Sequence, residues 1–191
     1  MAENMIFIIS GATCSGKGTV ITGALQSDKF NLARGMNVTT REHEARDKAE
    51  PHYQYVSEKG FKEMIKKGEL LEYDYHHRKF YGTNRIILEK LLKSHSIIME
   101  ADYKGAFEIK NTMSNVVLIY IMVDLAIIRK RIIKRGSETE KEIRIRIGRA
   151  AAENKQAKDY DYVVENPEGH PEIAINEVLD IIDKELKKKR S

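Results

Sequence analysis

Three uninterrupted apolar runs predict strands of a buried parallel sheet. The first, "MIFII" at 5–9, ends at a glycine-rich turn, and "SIIMEA" (96–101) and "VVLIYIMV" (116–123) follow later in the chain. Strands that are buried on both faces have this continuous apolar character instead of an alternation. Because helical patterns follow these runs, we predict an α/β fold in which helices flank a parallel sheet.

The pattern changes between residues 36 and 83, where polar and tyrosine-rich segments replace the apolar runs. Half-buried alternation predicts short antiparallel strands in a separate lobe. "SEKGFKEMIKKG" is its one predicted helix, with Ser57 as the N-cap. We therefore divide the single domain of 191 residues into a core (1–35 and 84–191) and a small inserted α+β lobe (36–83).

The segment "KEIRIRIGRAAAEN" fits two patterns, since Ile143, Ile145 and Ile147 alternate as in a strand while Ile143 and Ile147 also share a helical face. Ala150 to Ala152 and the flanking Glu and Lys residues are strong helix formers. We predict a helix.

Composition narrows the class of protein. Hydrophobic residues make up 41% and charged residues 32%, which is typical of a soluble globular protein. No apolar run is long enough to span a bilayer, and no basic leader precedes the first run, so we expect neither a membrane anchor nor a signal peptide. A single cysteine, Cys14, excludes an internal disulfide and suits the reducing cytoplasm.

The net charge of +4 points to a polyanionic partner, although part of the excess is the terminal "KKKR". No aromatic-basic stacking motif or groove-reading module is present, so we do not expect nucleic-acid binding.

The stretch "GATCSGKGT" carries the clearest chemistry. It has the G-x-x-x-x-G-K spacing of a P-loop and lies between a predicted strand and a predicted helix, where backbone N–H groups and the helix dipole favour a phosphate. Lys17 adds a charge for the β- and γ-phosphates. The predicted ATP-binding loop comprises Gly11, Ala12, Thr13, Cys14, Ser15, Gly16, Lys17, Gly18 and Thr19.

Gly18 stands where a magnesium-binding Ser or Thr is usual, and Thr19 follows it directly. The resulting G-K-G-T resembles the loops of adenylate and cytidylate kinases. We expect Mg²⁺ to be held by the ATP phosphates and waters, with Thr19 as the one candidate protein ligand. Cys14 is predicted to be a small filler of the loop and not a catalytic thiol.

Further motifs follow in a characteristic order: "TTRE", "HYQYV", "GELLEY", "FYGT", "MEADYKG" and "KRGSETEKEIRIRIGRAAAE". Together they resemble the guanylate kinase family over nearly the whole chain, from Met5 to about Leu186. The resemblance implies a P-loop NTPase fold with a GMP-binding lobe and a helical lid at about 136–147. It also implies ATP-dependent phosphorylation of GMP to GDP in cytoplasmic purine metabolism, by a monomer or homodimer.

The resemblance also assigns roles to single residues. Arg41, Tyr53 and Tyr81 would hold the GMP phosphate, and Glu72 and Thr83 would read the guanine. The remaining GMP-site positions would be Asn37, Gly82, Glu100 and Asp102. Arg131, Arg135 and Arg146 would close on the phosphates, and Asn166 would lie near the adenine or the lid arginines. The catalytic residues would be Lys17, Arg41, Arg135 and Arg146.

Elementary chemistry supports the assignment of Glu72. Guanine presents two adjacent donors, N1–H and N2–H, and one carboxylate can accept both. Adenine has an unprotonated N1 at the same place, which a carboxylate would repel. The attacking phosphate oxygen of GMP is already anionic, so no general base is needed, and cationic side chains are the expected machinery.

Structural alternatives stay open for several of these residues. The tyrosines at 53, 73, 75 and 81 also fit half-buried strand positions, and Glu72 also fits a surface strand. Arg144, Arg146 and Arg149 also fit a solvated helix face. His76 and His77 fit a hairpin tip better than a metal pair, because adjacent strand residues point to opposite faces.

The chain departs from the family pattern T-T-R-x-x-R-x-G-E. Glu44 replaces the second arginine, Arg46 and Asp47 replace Gly-Glu, and Asn37 stands where a serine is usual. Two alternatives to a guanylate kinase therefore stay open. One is a kinase for another nucleoside monophosphate or phosphorylated small molecule, and the other is a non-catalytic guanylate-kinase-like binding module. Lys17 and the complete phosphate loop favour catalysis.

Overall fold

The structure is a computed structural model that describes residues 4–43, 53–76, 78–136 and 139–189. The predictions made for Glu44, Arg46, Asp47 and His77 lie outside these residues, as do those for the side chains of His76 and Arg135.

Strands and helices follow one another along the described part of the chain, and several strands are consecutive. They are β1 (Ile6–Ser10), α1 (Lys17–Leu25), β2 (Leu32–Arg34), β3 (Asn37–Thr39), β4 (Tyr53–Tyr55), α2 (Glu58–Lys66), β5 (Leu70–His76), β6 (Lys79–Asn84), α3 (Arg85–Leu92), β7 (Ser96–Glu100), α4 (Tyr103–Thr112), β8 (Val116–Met122), α5 (Leu125–Arg135), α6 (Glu140–Asn154), a 3₁₀ turn (Lys155–Asp159), β9 (Tyr162–Glu165) and α7 (Pro171–Lys188).

The first sheet is parallel, has the order β2-β7-β1-β8-β9 and confirms the three predicted strands. Along β1, Phe7 and Ile9 pack with residues of α1 and α7, whereas Ile6 and Ile8 pack towards α3 and α4. Helices thus cover both faces, which explains why these strands are continuously apolar. The short strands β2 and β9 were not predicted, because their half-exposed residues give no apolar run.

The second sheet has the order β4-β3-β6-β5 and forms the inserted lobe. Helix α2 packs Phe61 and Met64 against Val38 and Leu70, and the Ser57 side chain accepts a hydrogen bond from the Gly60 N–H, as predicted for an N-cap. The prediction of antiparallel strands holds for β3–β6 and β5–β6. It is wrong for β3–β4, which pair in parallel because the chain returns to β4 through the long connection 40–52 and not through a hairpin.

Helices α5 and α6 pack against each other beside the phosphate loop. The segment that fitted two patterns is helical, as predicted: α6 begins with a capping box formed by Thr139 and Glu142. Ile143 is 7% exposed whereas Ile145 is 47% exposed, so the spacing of buried positions is helical. Within the described ranges, no helix has the length and apolar character needed to cross a membrane.

Candidate active site

The phosphate loop leaves β1 at its carboxyl end and leads directly into α1. Gly16 has φ 92°, and a Cβ at this position would overlap Nδ2 of Asn166, so only glycine fits. Cys14 has φ 59°, an uncommon conformation for a residue other than glycine. The start of α1 and the turns before it form a concave group of N–H donors of the kind that binds phosphate.

The ammonium group of Lys17 lies at the first turn of α1 and is directed back across the loop. Its Nζ donates to the carbonyl oxygens of Gly11 at 2.9 Å and Ala12 at 3.1 Å. Oε1 of Glu100 lies 3.5 Å from the same atom. The side chain of Lys17 is only 15% exposed, so this charge is held over the loop where a nucleotide's terminal phosphates would lie.

Two side chains from other elements hold the next part of the loop. Nη1 of Arg131, on α5, donates to the carbonyl of Cys14 at 3.1 Å. Nδ2 of Asn166, directly after β9, donates to the carbonyl of Ser15 at 2.6 Å. Sequence reasoning placed Arg131 on the phosphates and Asn166 near the adenine or the lid arginines, and their contact with a nucleotide stays a prediction. In the structure both contact the backbone of the loop.

Three residues predicted for the GMP site lie side by side on neighbouring strands of the lobe. The register pairs Thr83 of β6 with Asn37 of β3 and with Glu72 of β5. The Thr83 hydroxyl donates to Oε1 of Glu72 at 2.6 Å and lies 3.4 Å from Oδ1 of Asn37. Gly82 lets β6 approach β5 closely, because a Cβ there would lie 2.7 Å from the Glu72 carbonyl oxygen.

The carboxyl group of Glu72 is electrostatically perturbed. Burial raises its pKa from 4.5 to about 7, and the negative charge of Asp102 adds to the increase, while the hydrogen bond from Thr83 opposes it. A Cβ added at Gly105 of α4 would lie 2.8 Å from Oε2 of Glu72, so α4 closely approaches this carboxylate. Strongly perturbed carboxyl groups in a cleft are typical of functional sites.

Two tyrosines share a face of the lobe's sheet with Thr83, because the register aligns Tyr53 with Thr83 through β3 and Tyr81 lies two residues before Thr83 on β6. The guanidinium carbon of Arg41 lies 4.8 Å from the ring centroid of Tyr53, and the rings of Tyr53 and Tyr81 meet edge to face at 6.4 Å. Burial, followed by the charge of Glu100, raises the pKa of Tyr53, which therefore stays a neutral donor. A guanidinium beside phenolic donors suits a phosphate group.

Glu100 connects the two halves of the site. Its carboxylate lies beside Lys17, and its carbonyl oxygen accepts a hydrogen bond from Nδ2 of Asn37 at 3.0 Å. Asp102, two residues on, caps α4 by accepting from the Gly105 N–H at 2.8 Å. Glu100, at the carboxyl end of β7, therefore contacts both the phosphate loop and the lobe, and Asp102 follows it at the start of α4.

The predicted lid arginines are only partly brought to the site. Arg131 reaches the loop, whereas Arg146 is half-buried on α6 and interacts electrostatically with Glu142. Arg135 ends α5. The assembly of these cations around phosphates is a prediction for the nucleotide-bound protein.

Sequence reasoning missed Glu153, in the last turn of α6. This carboxylate interacts with the backbone N–H of Thr13 and with the charge of Lys17, and burial raises its pKa. Its neighbour Asn154 accepts a hydrogen bond from the Tyr120 hydroxyl at 3.0 Å. Because Glu153 lies seven residues after Arg146, two helical turns away on the same face, the helical spacing could have revealed it.

A glycine-rich loop that joins a buried parallel strand to a helix, with a lysine at the first helical position, defines a P-loop NTPase fold. The fold comparison agrees: shikimate kinase from Aquifex aeolicus aligns over 94% of this chain and 97% of its own, with a TM-score of 0.51 and 18% identity. At that identity the likeness shows the fold alone. Guanylate kinase from Anaplasma phagocytophilum aligns over 97% and 87%, with a TM-score of 0.76 and 28% identity.

Sequence comparison defines the family. The family model "Guanylate kinase" matches residues 3–185. The guanylate kinase of Clostridioides difficile is 35% identical over 86% of this chain and 80% of its own, and that of Halalkalibacterium halodurans is 34% identical over 96% and 89%. The chain belongs to the guanylate kinase family.

Proposed function

We propose that the protein transfers the terminal phosphoryl group of ATP to GMP, producing ADP and GDP. The observation that carries this proposal is the partly buried carboxylate of Glu72, which is hydrogen-bonded to Thr83 on the side of Glu100 opposite the phosphate loop. In this arrangement a carboxylate that could bind guanine and a loop that could bind a triphosphate would lie on the two sides of Glu100.

The acceptor half would select guanine by hydrogen bonding. An ionised Glu72 can accept both N1–H and N2–H of guanine, whereas adenine would place an acceptor against it. Arg41, with Tyr53 and Tyr81, would bind the GMP phosphate. Because a site built to pair with donors is left unsatisfied by the wrong base, discrimination against AMP should be large.

The donor half would bind ATP on the N–H groups of the phosphate loop, with Lys17 on the terminal phosphates. Among the described residues, no three His, Cys, Asp or Glu side chains form a group that could hold a metal ion. Glu100 and the exposed Thr19 are nevertheless hard oxygen donors of the kind that suits a magnesium ion shared with phosphates and water. When bound, Mg²⁺ would supply charge neutralisation on the phosphates.

The chain's own residues would act mainly through charge. Lys17 would leave the Gly11 and Ala12 carbonyls to follow the transferring group, and Arg135 and Arg146 would approach it as α5 and α6 close. The phosphate oxygen of GMP attacks as an anion, so no side chain has to remove a proton. We place the reaction in cytoplasmic purine nucleotide metabolism.

A panel of nucleoside monophosphates tests this function. The purified protein, with ATP and Mg²⁺, should phosphorylate GMP in preference to AMP, CMP and UMP, as followed by ADP release. Glu72→Gln should lower the GMP-to-AMP ratio of kcat/KM. The loss should correspond to about 1–3 kcal/mol of discrimination, the scale of one bidentate base contact. Glu63→Gln, at an exposed position of α2, is the matched control.

Each unfavourable outcome has its own meaning. Equal use of AMP and GMP would contradict the guanine assignment, and preference for another monophosphate would replace the acceptor. No phosphorylation of any member of the panel would indicate a binding module.

A further inference from the structure

The turn between β9 and α7, Asn166–Gly169, lies against the phosphate loop although it is about 150 residues away in sequence. The backbone N–H of Asn166 donates to the carbonyl of Met122 at 2.9 Å, which fixes the start of the turn at the end of β8. Asn166 is only 3% exposed. Its place is therefore set by the sheet and not by a ligand.

The side chain of Asn166 is interlocked with the loop. Its Nδ2 donates to the Ser15 carbonyl and occupies the space that a Cβ of Gly16 would need. Its Oδ1 is buried and has no hydrogen-bond partner in the described part of the chain, and the same holds for Oγ of Ser15. One N–H of the amide is therefore engaged by the loop and its acceptor is shielded from solvent, so the contacts of this side chain are with the loop backbone.

Glu168 of the same turn holds the carbonyl of Cys14, the residue before Ser15, through the side chain of Arg131. Oε2 of Glu168 accepts a hydrogen bond from Nε of Arg131 at 3.1 Å, and Nη1 of Arg131 donates to the Cys14 carbonyl. Oε1 of Glu168 also lies 3.3 Å from Nζ of Lys130. Cys14 is the loop residue with the unusual positive φ, a conformation that persists only when the surroundings hold it.

We propose that Asn166–Gly169 positions the phosphate loop by holding two consecutive carbonyls, that of Ser15 through Asn166 and that of Cys14 through Glu168 and Arg131. Asn166 is then a positioning residue for the triphosphate and does not read the adenine. This inference rests on the proposed use of ATP as donor.

Inorganic tripolyphosphate separates positioning from base reading, because it offers the phosphate chain without a base. Titration calorimetry with tripolyphosphate and with ATP would be carried out on the wild type, Asn166→Ala and Asn166→Asp. The Asp variant keeps the shape of the side chain but cannot donate to the Ser15 carbonyl. Within each variant we expect tripolyphosphate and ATP binding to weaken by the same factor, about 10-fold in Asn166→Ala for one lost buried hydrogen bond and more in Asn166→Asp, whose carboxylate also repels the phosphates.

Kinetics supply a second measurement. The KM for ATP should rise in parallel with the loss of tripolyphosphate binding, while the KM for GMP stays unchanged, a pattern that general destabilisation would not produce. Glu168→Gln tests the second carbonyl from an exposed position that should tolerate substitution, and it should weaken both ligands in the same direction. Glu172→Gln, an exposed carboxylate in the first turn of α7, is the control and should change neither.

The outcomes are distinct. Loss of ATP binding with unchanged tripolyphosphate binding would overturn the proposal and assign Asn166 to the adenine. Unchanged binding of both ligands would also overturn it. If Asn166 variants do not fold, as judged by circular dichroism, the Glu168→Gln comparison decides. Failure of the wild type to phosphorylate GMP would refute the proposed function, yet the tripolyphosphate titrations would still be interpretable.

Discussion

Replacing Glu72 with glutamine should stabilise the nucleotide-free protein, and the gain should increase as the pH rises. Folding raises the pKa of this carboxyl group from 4.5 to about 7, chiefly through burial. A raised pKa means that the folded protein holds this proton more tightly than the unfolded chain does. The resulting stabilisation is fully present below pH 4.5 and is lost as the pH rises through about 7.

The size of the effect follows from the two pKa values. At about 1.36 kcal/mol for each pH unit between them, ionisation of Glu72 costs at most ~3 kcal/mol of the free energy of unfolding. Glutamine removes this cost and keeps an oxygen that can accept the hydrogen bond from Thr83. We therefore expect the stability difference between Glu72→Gln and the wild type to grow by about 1–3 kcal/mol between pH 5 and pH 8.5.

Urea unfolding followed by far-ultraviolet circular dichroism measures this difference, since the chain has no tryptophan. Both proteins would be unfolded at half-unit steps from pH 5 to pH 8.5, with Glu63→Gln as the control for removal of an exposed negative charge. A difference that does not change with pH would refute the reasoning. The same glutamine should weaken GMP binding, so the residue would be kept for recognition at the expense of stability.

Three further substitutions test the other parts of the site. Lys17→Ala should lower kcat at least about 10³-fold while leaving the melting temperature nearly unchanged, and near wild-type turnover would exclude the loop from the mechanism. Arg146→Ala should reduce kcat by a similar factor with little change in the KM for GMP, whereas a change in KM alone would limit the residue to binding. Gly105→Ala would place a Cβ 2.8 Å from Oε2 of Glu72, so the KM for GMP should rise about 10-fold with the KM for ATP unchanged; equal changes in both would indicate a global effect.

The core of the fold follows from hydrophobic pattern, and the parts that do not follow have physical reasons. Strands β1, β7 and β8 are buried on both faces and give long apolar runs. Strands β2 and β9 have three and four residues and lie at the sheet edges, so the sequence contains too little periodicity to reveal them. The parallel β3–β4 pair depends on how a long connection returns, which local pattern does not encode.

For the site, the sequence indicated single residues but not the contacts between distant elements. The spacing of the P-loop indicates Lys17, whereas Glu72 was assigned by the resemblance to the family and the chemistry of guanine supports that assignment. The contacts of Arg131 and Asn166 with loop carbonyls depend on how distant elements pack, so residue type alone could not give them. Glu153 was missed because residue type alone does not distinguish it from the other carboxylates of a charged helix, and only its spacing of seven residues from Arg146 points to the site.

The inserted lobe has a small hydrophobic centre, in which Val38, Phe61, Met64 and Leu70 are the buried members among the described residues. The main sheet is instead sandwiched between two much larger clusters. Local opening is easiest where few apolar contacts must be broken. Backbone amides of β3 to β6 should therefore exchange with deuterium through opening of the lobe alone, while those of β1 and β8 exchange only when the whole chain unfolds. Binding of an acceptor nucleotide would then slow exchange mainly in the lobe. The temperature at which the empty lobe opens, and not the melting temperature of the core, would therefore set the upper limit for activity.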